Sequence, residues 1–190
     1  MFYKLLIVLI FYFCFNGNDS KEDFIKWSNE IKIRWSDFHG NLQQNTPVAA
    51  VSFVGIVYKT ITKSYEFYLL EVYASFDRNK SCVWMEKASD SLLVHEQGHF
   101  NLAEIYSRKM RKALIENRSN YYRTKVNEDI HNLFNMYSDS LSIRQNCYDK
   151  ETHFSQKYDK QIEWNLTIRK ELKELERYRT RYVKIYLKNI

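Results

Sequence analysis

The hydrophobic positions change period along the chain, and those changes mark its elements. Ala49 to Tyr58 and Tyr65 to Phe76 are rich in β-branched and aromatic residues, with the polar stretch Lys59 to Ser64 between them. Such a pair predicts a β-hairpin with a mid-length loop. In the second run Phe67, Leu69, Glu71 and Tyr73 alternate with Tyr68, Leu70, Val72 and Ala74. Both faces therefore carry apolar side chains, and one of them is expected beneath helices. Ser89 or Asp90 can cap a helix predicted to run to about Asn117. A second helix is predicted over Thr124 to Tyr137. A third covers roughly Ser155 to Lys188, where Trp164, Ile168, Leu172, Leu175, Tyr178, Tyr182 and Tyr186 recur every three or four residues. Upstream, the segment Ile31 to Phe38 leads into a Gly40–Asn41 turn. The sum is an α+β chain, a small antiparallel sheet or hairpin followed by a motif-bearing helix and a helical C-terminal part.

The N-terminus has a different pattern. Lys4 precedes the unbroken apolar run Leu5 to Phe15, and the polar stretch Asn16 to Asp23 follows. A positive start, a short apolar core and a polar exit are the layout of an export signal. The run is short for a bilayer span, which needs about 20 apolar residues. Residues 1–17 are thus expected to be a signal peptide or membrane anchor, and residues 18–190 a single domain. The expected location is the periplasm, the cell envelope or the exterior, with any membrane association through the N-terminal segment. Beyond that segment stand Cys82 and Cys147, which could pair in an oxidising compartment.

Composition narrows the function. At 190 residues and 45% hydrophobic content the chain can bury one core. Its net charge of +6 is spread over helical faces of mixed sign, with clusters at Arg108 to Lys112 and Arg177 to Lys188. No zinc-finger, RNP or glycine-rich phosphate motif accompanies the charge, so no nucleic-acid partner is expected.

The candidate chemistry lies in the first helix, where His95-Glu96-Gln97-Gly98-His99 is an H-E-x-x-H motif. Residues four apart share a helix face, so both imidazoles can reach one metal ion, Zn2+ by this motif. Glu96 sits beside them, placed as general base and acid to take a proton from metal-activated water. On the helical wheel Leu92, His95, Glu96, His99, Leu102, Ala103, Tyr106, Met110 and Leu114 form the side expected to face the protein. Gln97, Asn101, Glu104, Arg108, Arg111 and Lys112 fall on the other. Glu104 points away from both histidines and is rejected as a ligand. The extended pattern with a third histidine is absent, since Leu102 and Ile105 occupy the required places. The third ligand is therefore expected downstream, in Tyr148-Asp149-Lys150-Glu151-Thr152-His153, with His153 ranked first and Asp149 next. His131, near Asp129, competes from the second helix. Gly98 is expected to serve packing, and Tyr148 is a candidate donor to a developing oxyanion.

These residues also carry a resemblance. Ile33-Arg34-Trp35-Ser36-Asp37-Phe38-His39-Gly40, then Leu92 through Glu104, Tyr106, Arg108, Tyr148-Asp149, Thr152, Gln161 and Trp164 are similar to a bacterial family catalogued as domain of unknown function 922 and described as predicted secreted zinc-dependent proteases. The resemblance implies a zincin-like fold, zinc on His95 and His99, and Glu96 as catalytic acid/base. One departure stands out: the family places a histidine two residues after the threonine, where this chain has Phe154, and His153 comes one residue early. The expected function is a secreted zinc metallohydrolase acting on a peptide or protein substrate. The alternative is a non-catalytic envelope binding or scaffold protein that keeps the fold.

Overall fold

The computed structural model describes residues 23–42, 48–118 and 120–189; the expected signal or anchor segment lies outside them. The hairpin forms where the alternation placed it, as β3 (Val54–Lys63) and β4 (Phe67–Asp77). Its turn is shorter than expected, because β-branched Thr60 and Thr62 and the intervening Ile61 extend β3, with a register shift between Thr60 and Thr62. β4 is the centre of the sheet. β3 lines one edge of it; β1 (Phe24–Lys26) and β7 (Tyr182–Lys188) share the other, all three antiparallel to β4. The short β6 (Tyr121–Tyr122) adds to β7 in parallel. A separate two-stranded ribbon pairs β2 (Ala50–Val51) with β5 (Cys82–Val83).

Helix α1 (Asp90–Glu116) begins where Ser89 caps it, the hydroxyl accepting from the Leu92 amide at 3.2 Å. At 1.5 Å per residue it runs about 40 Å. Leu70, Val72, Ala74 and Phe76 of β4 join Phe100, Leu102, Ala103 and Ile105 of α1 in the core, with Phe76 and Phe100 ring to ring at 5.9 Å. Helices α2 (Val126–Thr152) and α3 (Tyr158–Glu174) pack against α1. Among the described residues the architecture is α+β, three helices and a small sheet, and α1 is its axis. Among the described residues no helix is long and apolar enough to cross a membrane.

Two expectations are corrected. Helix α2 continues to Thr152, fifteen residues past the expected Tyr137, so the polar cluster at 148–153 is its last turn and cap rather than a linker. The third helix stops at Glu174, and Tyr182–Lys188 is a strand. Side chains four apart share a face in both conformations, so Tyr182 and Tyr186 fit either; the buried Val183 and Ile185 between them decide for period two. Cys82 is buried and Cys147 exposed, and both are free thiols.

The turn from α2 to α3 is strained. His153, Phe154 and Ser155 all have left-handed backbones, with φ of 50°, 52° and 69°. A non-glycine residue there costs roughly 1–2 kcal/mol, while glycine loses about 0.5–1 kcal/mol in chain entropy. Ser155→Gly is therefore expected to stabilise the fold by up to about 1 kcal/mol, raising the melting temperature by about 2–4 °C. A thermal scan showing an unchanged or lower midpoint would contradict the strain assigned to this turn.

Candidate metal centre

Helix α1 carries His95 and His99 one turn apart, and their rings meet edge to face with centroids 4.8 Å apart. Their Nε2 atoms lie 3.2 Å from each other. Asp149, from the last turn of α2, puts Oδ1 3.0 Å from Nε2 of His95 and 2.8 Å from Nε2 of His99. Among the described residues these three are a group whose ligand atoms sit close enough for one ion. Ligand atoms about 2.0–2.1 Å from a tetrahedral zinc stand roughly 3.3 Å apart, so this triangle is slightly tighter than an occupied one.

The outer hydrogen bonds fix the chemistry of the triangle. Nδ1 of His95 meets Oε1 of Gln161 at 3.0 Å, and Nδ1 of His99 meets Oε1 of Gln145 at 3.0 Å. The Gln161 amide is oriented independently, since its Nε2 donates to the Tyr148 hydroxyl at 2.6 Å and to Asn165 at 2.9 Å. An amide oxygen can only accept, so each Nδ1 is the protonated nitrogen and each Nε2 offers a lone pair. Two lone pairs and a carboxylate then converge with no donor between them. Such a donor set fits a cation, and without one a shared proton must take its place.

That competition shows in the titration behaviour. Burial alone would lower the pKa of His99, but the carboxylates of Asp149 and Glu96 outweigh it and hold the imidazole above its ordinary value. Burial pushes Asp149 the other way, and His99 and His95 reverse it, keeping the carboxyl well below the usual range. The centre is reached from the Asp149 side, whose side chain is 26% exposed while that of His95 is 2%.

Glu96 is 3% exposed, and its Oε2 has no hydrogen-bond partner among the described residues. Leaving a carboxylate oxygen unpaired in the interior is costly, which makes it the outstanding unsatisfied group of the site. Ribbon strand β5 lies close to it: burial, with Glu96's charge, pushes the Cys82 thiol above its ordinary pKa. The W-x-D-F-x-G segment holds the turn before β5. Asp37 pairs with Arg78 at 3.0 Å, and the Gly40 amide donates to Ser81 at 2.8 Å. A Cβ on Gly40 would meet the Asn79 carbonyl oxygen at 2.9 Å, so the segment approaches as closely as only glycine permits.

The structure brings His95, Glu96, His99 and Asp149 together, and not His153. His153 is exposed at the left-handed C-cap of α2, one turn past Asp149, and the αL backbone turns it off the helix face that meets α1. The order of the two downstream candidates is therefore reversed. His131 lies far up α2 against Phe134. Tyr148 is fully buried, stacked on the His95 ring at 4.4 Å, and its hydroxyl donates to the His95 carbonyl while accepting from Gln161. Burial drives its phenol far above the ordinary range. It is a neutral prop for the His95 ring, not a donor facing an opening. Gly98 exists for that prop, since a Cβ there would stand 2.8 Å from the Tyr148 ring carbon bearing the hydroxyl. Gln145 gave no signal in the sequence: a lone glutamine has no motif, and only the pairing of α2 with α1 shows its role.

Residues 74–157 match the model of a family described as "Bacterial protein of unknown function (DUF922)", the family that the motifs resemble. The matched segment contains His95, Glu96, His99, Gln145 and Asp149, whereas Gln161 lies beyond it. No curated protein and no solved structure matches the chain.

Proposed function

With that family match as premise, we propose that the chain is a zincin-like zinc hydrolase, exported from the cytoplasm, that cleaves peptide bonds. The observation that carries this reading is the donor-free triangle of two imidazole lone pairs and one carboxylate beside the orphaned carboxylate of Glu96. His95, His99 and Asp149 would hold the ion. Gln145 and Gln161 keep both rings in the ligating tautomer, and Tyr148 holds His95 in plane. When bound, zinc polarises a carbonyl and brings the pKa of water down to about 7. Glu96 accepts the proton that the attacking water loses as its oxygen bonds to the scissile carbon. The same carboxyl returns the proton to the amine as the carbon–nitrogen bond breaks. Edge strand β3 is where an extended peptide would add to the sheet.

One observation favours the second reading, a non-catalytic binding or scaffold protein: Glu96 and both histidines are almost fully covered. Metal analysis of the purified protein separates these ideas at the first step. Stoichiometric zinc is expected in the wild type, lost in His95→Ala and in Asp149→Asn, and retained in His153→Ala. A wild-type protein without bound metal after growth in zinc, or zinc lost with His153, would sink the assignment.

A further inference from the structure

The outer face of α3 carries a feature that the metal centre does not use. Tyr158, Ile162 and Leu166, spaced four apart, are 71%, 41% and 58% exposed, and Phe154 ahead of the helix is 45% exposed. Large apolar side chains left in water in such a row mark a binding surface rather than chance. At about 100° per residue, Tyr158 to Leu166 span a sector of roughly 80° along about 12 Å of helix. Arg169 and Lys173 fall inside that sector. All four acids of the helix, Asp159, Glu163, Glu171 and Glu174, fall outside it. The stripe is thus apolar and cationic, flanking the buried row Gln161, Trp164 and Ile168 that fastens α3 to the body of the protein.

We propose that this stripe docks on an anionic lipid surface. Two observations choose that occupant. The apolar side chains of the stripe stand 41–71% exposed along the helix, a ridge rather than a pocket. A bilayer needs no complementary pocket, because acyl chains and headgroups rearrange around a helix ridge. Its charge also has the right sign, with arginine and lysine set among the apolar residues to reach lipid phosphates and a net charge of +6 over the whole chain to draw it in. A tyrosine at one end suits the headgroup level, where one side of the ring is apolar and the hydroxyl stays wet.

The test reads the stripe itself, so that attachment through the N-terminal apolar run does not confound it. The full chain with Cys14→Ser and Cys147→Ser leaves buried Cys82 as the remaining native thiol. A polarity-sensitive fluorophore is attached to Leu166→Cys, or to exposed Lys160→Cys, which lies about 160° around the helix from the middle of the sector. With vesicles containing phosphatidylglycerol, the probe at 166 should brighten several-fold and shift to the blue, and the probe at 160 should stay as in water. High salt should reverse most of the change, and pure phosphatidylcholine vesicles should produce little of it. No response at 166, as a protein partner on this face would give, overturns the proposal. Equal responses at 166 and 160, or equal responses to charged and neutral vesicles, overturn it as well.

Discussion

Glu96→Gln is expected to keep its zinc and lose its hydrolysis, by a factor of about 10²–10⁴, the range removed with a positioned acid/base. The amide fills the same space in a position only 3% exposed, so packing is conserved. It cannot accept the proton that the mechanism places on Oε2. The fold should tolerate the change well, because the wild-type oxygen has no hydrogen-bond partner among the described residues and its burial already costs stability. A separate readout follows the same charge. Glu96 helps hold His99 above its ordinary pKa, so in chelated protein the variant's His99 should titrate lower, followed by its ring-proton NMR shift. Cleavage of a peptide library at the wild-type rate would end the proposed role of Glu96. Full zinc in both proteins with cleavage by neither would leave the metal site standing and end the hydrolase reading.

How much of this was legible depended on how local each signal is. The α1 start was readable because a cap and its helix are neighbours in sequence: Ser89 and Leu92 are three apart. The motif was readable because His95 and His99 share a helix face by spacing alone. Asp149 was readable only as the second choice, since its place depends on α2 running unbroken to Thr152 and crossing α1, and a residue fifty positions away has no periodic relation to the pair. The neighbouring His153 was the chemically attractive choice; backbone geometry decided against it. Strand β7 was misread for a physical reason already visible in its tyrosines, whose spacing of four satisfies both periods. The wheel for α1 failed in a different way. It divides a helix into an inner and an outer face, and α1 has no outer face over much of its length, being covered by the sheet below and by α2 and α3 above. Glu104, Arg108 and Arg111, assigned to solvent by the wheel, are 2%, 0% and 0% exposed.

That buried trio is where the second large effect is expected. Glu104 Oε1 accepts from Nε of Arg108 at 2.8 Å and from Nη2 of Arg111 at 2.6 Å. Further donors fasten α1 to its neighbours: Nη1 of Arg108 to the Leu172 carbonyl and Glu176, Arg111 to the carbonyls of Val72 and Tyr178, while Nη2 of Arg108 has no partner among the described residues. Two positive charges thus rest on one fully buried carboxylate, with Glu176 at the surface as partial support. Burial already pulls the Arg111 pKa below its usual value, and Glu104 is what opposes that shift. Glu104→Gln keeps the shape and removes the charge, leaving a guanidinium pair uncompensated in the interior. Breaking a buried pair this way costs about 3–5 kcal/mol, which for a domain with a few kcal/mol to spare brings unfolding near working temperature. Urea denaturation of chelated protein should show the midpoint falling sharply with its slope unchanged. Adding Arg111→Met to Glu104→Gln should recover part of the loss, because it removes one of the stranded charges. None of the trio's hydrogen bonds reaches His95, His99 or Asp149, so whatever protein remains folded should hold zinc as the wild type does. A Glu104→Gln protein as stable as wild type would mean that the guanidiniums are held by their carbonyl partners alone, and that the carboxylate at the centre of the helix packing does not bind the layers together.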